Sequence, residues 1–119
     1  MNYRQLDGKT VIGLVEPVTI ITKEGAKKTI LAKIDTGASK SSIDVNLASE
    51  LKLGPIIKSK LVKSASGNKL RPVIEVRVEF AGKEMFEEFT LADRWHMKYR
   101  LLVGQNLLKH GYLIDACKK

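Results

Sequence analysis

Ala32-Lys33-Ile34-Asp35-Thr36-Gly37-Ala38-Ser39 is the stretch on which the reading of this chain turns. Residues 29–34 are β-branched and apolar, as a strand requires, and they run straight into Asp35. A carboxylate at the end of a strand is held rigidly. Gly37 has no Cβ, so backbone can approach that carboxylate closely. Thr36 brings a hydroxyl able to lock the turn by a local hydrogen bond. A polar stretch follows over residues 36–42.

Upstream, apolar residues 10–15 precede Glu16-Pro17 and a second run at 18–22. Pro17 lacks an N–H and marks either a break between two strands or an edge position. Lys23-Glu24-Gly25-Ala26 is a turn. Downstream, residues 45–53 are the best helix: Leu47, Ala48 and Leu51 share a face, Asp44 is the N-cap and Gly54-Pro55 is the stop. Residues 56–62 read as a strand, and Ser64-Ala65-Ser66-Gly67-Asn68 is the strongest turn signal. Residues 70–80 then alternate, with Pro72, Ile74, Val76, Val78 and Phe80 on one face. Ala81-Gly82-Lys83 is a hairpin turn and 84–91 the return strand. After an irregular loop at 92–100 come a buried strand Leu101-Leu102-Val103, a helix of about two turns over 104–110 and a last strand at 112–116. Many short strands with frequent turns and two short helices predict a mostly-β barrel or sandwich. The expectation is one domain over 1–119, with 1–8 a flexible lead-in.

The 119 residues carry 21 Lys and Arg against 13 Asp and Glu, a net charge of +8. That balance suits an acidic peptide, nucleic acid or an anionic surface, and it equally serves plain solubility. Aromatic content of 6% with no aromatic-basic motif gives no stacking platform, so nucleic acid is the weakest of these partners. Cys117 is the single cysteine, which forbids an internal disulfide and points to a reducing compartment. The polar first residues lack a signal-peptide pattern, and no apolar run is long enough to span a membrane, so the expected location is cytoplasmic.

The segment from Ala32 to Ser39 resembles the catalytic loop of aspartic peptidases, and Leu101-Leu102-Val103-Gly104-Gln105-Asn106-Leu107-Leu108 is similar to the second signature of retropepsins. The spacing of the two motifs and the helix after the first also fit that family. A narrower likeness runs through Ser64-Ala65-Ser66-Gly67, Arg71-Pro72-Val73-Ile74, Leu91-Ala92-Asp93-Arg94 with Met97, and Leu102-Val103-Gly104. It is to small retropepsin-like proteins often labelled ATP-dependent zinc proteases, some linked to trimming poly-glutamate tails on a ribosomal protein. Zinc finds no support in two histidines, His96 and His110, with no His-Glu-x-x-His helix. No metal and no cofactor are expected.

The resemblance implies a retropepsin-like fold with a flap hairpin, and peptide hydrolysis. Asp35, Thr36 and Gly37 would be catalytic, with Ala38, Ser39, Ser64, Ala65, Ser66, Gly67 and Asn68 against the substrate. Leu102, Val103, Gly104, Gln105 and Asn106 would form the structural signature. Gln105 is a departure, because retroviral members usually carry Arg there to brace the dimer; Arg94 is the candidate substitute. Aspartic peptidases use two carboxylates sharing one proton, since like charges about 3 Å apart cannot both ionise. Asp7, Asp44, Asp93 and Asp115 are not followed by Thr-Gly or Ser-Gly, so the second acid requires a homodimer.

By order of elements the flap is the hairpin of residues 56–76. Lys52, Lys58, Lys60, Lys63, Lys69 and Arg71 fall between 51 and 71, where there is no acid. Such a flap favours an acidic or glutamate-rich peptide; a solvated lysine face that protects an edge strand is the other reading. Trp95, His96 and Tyr99 either line a pocket or serve packing. The competing functions are a non-catalytic binding or dimerisation module of the same fold and a basic ribosome- or RNA-associated domain.

Overall fold

The apolar runs become strands in the computed structural model of the chain, which describes residues 2–64 and 67–118. In order these are β1 (Gln5–Leu6), β2 (Lys9–Ile12), β3 (Val15–Ile21), β4 (Lys27–Ile34), β5 (Ser41–Asp44), helix α1 (Val45–Glu50), β6 (Ile56–Ser64), β7 (Gly67–Phe80), β8 (Lys83–Ala92), β9 (Leu101–Val103), helix α2 (Gln105–Leu108) and β10 (Tyr112–Ile114). Six of them, in the order β3-β4-β9-β5-β8-β7, make a barrel, closed because β7 also pairs with β3 from Val18↔Phe80 to Ile21↔Arg77. This is the mostly-β, retropepsin-like closed barrel expected from the sequence. A small sheet, β1-β2-β10, lies beside it.

The alternation of residues 70–80 explains the core. Ile74, Val76, Val78 and Phe80 are buried, and they meet Phe89, Ile43, Leu101, Val18 and Ile20 inside the barrel. Each such side chain contributes roughly 1.5–3 kcal/mol by leaving water. Phe80 pairs with Lys83 across a two-residue turn, Ala81 (φ 46°) and Gly82 (φ 87°), whose twist suits a tight hairpin. Pro17 lies inside β3, one residue before the β7 pairing begins, where a missing N–H breaks no ladder bond.

Residues 67–72 of β7 pair with β6 alone, whereas pairing with β8 begins only at Val73. The hairpin β6–β7 therefore projects from the barrel as a two-stranded arm. The expected turn at 64–68 is tighter than the sequence suggested: Lys63 pairs with Asn68 and Ser64 with Gly67. Ala65 and Ser66 lie outside the described residues.

Several expectations change. The run 10–15 divides, because the Gly13 N–H donates to the buried Glu16 carboxylate at 2.7 Å and turns the chain between β2 and β3. Ser41–Asp44, read as loop and cap, is a strand between β8 and β9; its polar atoms are satisfied by distant partners. The helix of about two turns at 104–110 is shorter, Gln105–Leu108, because the chain bends back through Gly111 (φ 112°) into β10. Within the 1–8 lead-in, β1 pairs with β2.

Candidate active site

Asp35 leaves the end of β4, which runs parallel to β9, and its N–H donates to the carbonyl of Val103 at 2.9 Å. The Gly37 N–H donates to Asp35 Oδ1 at 2.9 Å. A Cβ on Gly37 would stand 3.2 Å from that same oxygen, so glycine gives the tight approach the sequence implied. The Ala38 N–H closes the turn on the Asp35 carbonyl at 3.3 Å. Asp35 is half-buried, while Thr36 and Gly37 are exposed. Among the described residues the Thr36 hydroxyl makes no hydrogen bond; the residue is held through its carbonyl instead.

That hold comes from the start of α2. Gln105 donates its backbone N–H to the Ala38 carbonyl at 2.8 Å and its side-chain amide to the Thr36 carbonyl at 2.8 Å. Gly104 must be glycine here: a Cβ would lie 2.5 Å from the Lys40 carbonyl oxygen and 2.8 Å from that of Ala38. Its N–H donates to Ser41 Oγ at 2.9 Å. Asn106 Oδ1 accepts from the N–H and hydroxyl of Ser41 at 2.9 and 2.8 Å, and its Nδ2 donates to the Glu88 carbonyl at 2.8 Å. Val103 is fully buried behind the loop.

Between this loop and the hairpin arm lies a groove of about 530 Å³. Gly37, Ala38, Ser39 and Leu102 line it on the barrel side, Leu61 and Val62 on the hairpin side, with Ser42 and Thr90 at its floor. Its charged lining residues are Lys40, Lys60, Lys63, Arg71 and Arg94, without one carboxylate. Glu88 tempers the edge: it meets Lys40 at 2.7 Å and Lys58 at 3.0 Å, and the hydrogen bond from Lys40, then that from Lys58, holds its carboxyl below the usual range. Lys60 Nζ reaches the Ser39 hydroxyl at 3.4 Å.

Within the chain it is Gln105 that holds the loop carrying Asp35. The backbone N–H of Arg94 donates to Asp44 Oδ1 at 2.9 Å and its Nε to the Tyr99 carbonyl at 3.0 Å, which presents the guanidinium to the groove. Burial, and then the neighbouring Arg71, push its pKa down, against the opposing pull of Asp35 and Asp44. Asp44 is fully buried. It caps α1 through the Leu47 N–H at 3.1 Å and pairs with Arg100 at 3.1 Å. Burial raises the Asp44 pKa, but the hydrogen bonds from Arg94, Arg100 and Leu47 outweigh it and leave the carboxyl below its ordinary value.

Gly67 and Asn68 stand beyond the groove at the hairpin end. Trp95 is 58% exposed, its ring 5.7 Å from that of His96, and neither lines the groove. Among the described residues no three His, Cys, Asp or Glu side chains gather where a metal ion could be held.

The model of one protein family, described as RimB-like, retropepsin-like aspartic endopeptidase RimB, matches residues 47–119, more than half of the chain. The chain belongs to this RimB-like family. The matched part holds the hairpin arm, Arg94 and the Gly104–Asn106 clasp; Asp35 lies ahead of it. No curated protein matches the chain. Among solved structures, the fold is similar to a Legionella pneumophila protein of unknown function (DUF785), at TM-score 0.65 and 23% identity, over 92% of this chain and 95% of that one. It is also similar to EIAV protease complexed with the inhibitor HBY-793 (TM-score 0.64, 18% identity, 81% and 85% coverage). Simian foamy virus (mac) protease is a third likeness (TM-score 0.55, 17% identity, 79% and 92% coverage).

In this RimB-like chain the structure adds site residues that the sequence reading passed over. Lys40, Ser42, Leu61 and Thr90 line the groove, and the buried Ser41 is bound to Asn106 behind it. Ser41 had no local signal, because its partner Asn106 is 65 positions away. Lys40 carried one, a cation directly after the loop, but not the fact that it pairs with Glu88.

Proposed function

We propose that the chain acts as a homodimeric aspartic peptidase that hydrolyses peptide or amide bonds, with acidic or glutamate-rich peptides as its preferred substrates. The observation that carries this reading is the setting of Asp35: a rigidly held, accessible carboxylate beside a peptide-sized groove that contains cations and no second acid. A second copy related by a twofold axis supplies the missing carboxylate.

In the dimer the two Asp35 side chains share one proton. The ionised one takes a proton from water as its oxygen attacks the scissile carbonyl carbon, and the protonated one donates to the carbonyl oxygen. The tetrahedral diol then collapses: its C–N bond breaks, the departing nitrogen takes a proton from one carboxyl, and the diol returns a proton to the dyad. No covalent enzyme intermediate forms. The cations of the groove favour an anionic chain and disfavour a basic one. In this reading the hairpin arm covers an extended peptide.

The test is cleavage of glutamate-rich peptides in ¹⁸O water, read by mass spectrometry. One heavy oxygen should enter each new carboxyl group, and Asp35→Asn should abolish turnover while leaving the thermal transition in place. Mixing Asp35→Asn chains into the wild type should lower activity as the square of the wild-type fraction. Turnover that survives Asp35→Asn, or that falls only linearly on mixing, overturns the proposal.

A further inference from the structure

The cations around the groove are not equivalent. Lys40 and Lys58 share the single carboxylate of Glu88, Lys60 reaches a hydroxyl, and Lys63 is an exposed ammonium. Among the described residues Arg77 and Arg100 each meet a carboxylate, Glu84 and Asp44, both at 3.1 Å. Arg71 and Arg94 meet none among the described residues, although both are half-buried and line one groove. Arg71 comes from β7, where it pairs with Lys60 across the hairpin; Arg94 comes from the loop after β8 and is fixed at its Nε by Tyr99. The terminal nitrogens of the two guanidiniums make no hydrogen bond among the described residues. Two partly desolvated cations without an anion repel each other, and a planar guanidinium fork matches a carboxylate in geometry as an ammonium does not. The groove is thus built with an anion's place left open beside Asp35.

We propose that Arg71 and Arg94 form a subsite for a side-chain carboxylate of the substrate, so that acidic selectivity rests on this pair and not on overall positive charge. The inference depends on the reading above only in taking the groove as the peptide site. One guanidinium is carried by the projecting hairpin and the other by the barrel, so an acidic residue bound between them also ties the hairpin to the barrel over the peptide.

The test measures binding in the Asp35→Asn protein, which separates recognition from hydrolysis. Two fluorescent peptides, identical except that the glutamates of one are glutamines in the other, are compared by anisotropy. The glutamate peptide should bind at least about tenfold more tightly, as charge-assisted hydrogen bonds of this kind allow. Arg71→Gln with Arg94→Gln should bring the two affinities together. Arg94→Lys, which keeps the charge and loses the fork, should fall between. Lys52→Gln with Lys69→Gln removes the same charge from outside the groove and should leave the preference in place. Equal binding by the parent, survival of the preference in the double arginine variant, or its equal loss in the double lysine variant each overturns the inference. Arg71→Gln alone, on the hairpin and away from the core, gives a decision if the Arg94 variants do not fold. A wild type that binds glutamate selectively but cleaves neither peptide would sink the peptidase reading and leave the subsite standing.

Discussion

The side-chain amide of Gln105 donates to the backbone carbonyl of Thr36 at 2.8 Å, joining the first turn of α2 to the loop that carries Asp35. An exposed bond of this kind adds only about 0.5–1 kcal/mol to stability, but it fixes the backbone on which the carboxylate sits. Gln105→Ala should therefore leave the thermal midpoint nearly unchanged and lower kcat clearly. Gln105→Glu should be worse, because it points a carboxylate at a carbonyl. Steady-state kinetics beside a thermal melt checks both; a kcat unaffected by either change would show that the clasp is dispensable.

Gly104 admits no side chain. The Cβ of Gly104→Ala would overlap the Lys40 and Ala38 carbonyls at 2.5 and 2.8 Å, both of them backbone. Relief requires moving the Asp35 loop away from α2, at a cost of about 3 kcal/mol or more. Urea denaturation should show a markedly lower midpoint, and any folded fraction should have lost activity.

Asp44 ties three segments together, since it takes the N–H of Leu47, the N–H of Arg94 and the Arg100 guanidinium. Its carboxyl titrates below the ordinary value in the folded protein, so the unfolded chain binds the proton first as pH falls. The stabilisation is complete above the unfolded carboxylate pKa and drains away as pH drops below it towards the lower folded one. Asp44→Asn should cost about 3 kcal/mol at neutral pH, because buried donors face an amide instead of a carboxylate. It should also flatten the acid limb of the stability profile. Chemical denaturation at a series of pH values reads both effects, and an unchanged slope would count against this role.

Asn106 uses its amide in both senses, accepting twice from Ser41 and donating to the Glu88 carbonyl. Asn106→Asp keeps the acceptor, removes the donor and turns an anion towards the Glu88 carbonyl. A loss of about 2 kcal/mol is expected, as for an unsatisfied partly buried group. Asn106→Ser, which has one small hydroxyl, should lose a similar amount. Equilibrium unfolding midpoints decide, and a neutral Asn106→Asp would show that Ser41 is held by other means.

What the sequence by itself determined is whatever depends on neighbours along the chain. The strand entering Asp35, the Asp44 cap of α1, the alternation that buries Ile74 to Phe80 and the Ala81–Gly82 turn all follow from local stereochemistry and a period of two. Their agreement is why a mostly-β barrel or sandwich was legible; its retropepsin-like form rested on the resemblance carried by residues 32–39 and 101–108. The tertiary structure alone decided what depends on partners far apart in sequence. Ser41–Asp44 is too polar to announce a strand, and it becomes one because Asn106, Arg94 and Arg100 satisfy it across the barrel. Gln105 looked like a missing arginine, and it is the residue that holds the loop. The run of lysines looked uniform, yet Lys40 and Lys58 share the carboxylate of Glu88, while among the described residues the Arg71 and Arg94 guanidiniums line the groove without an acid. Charge composition is additive along a chain, whereas the pairing of charges is set by the fold.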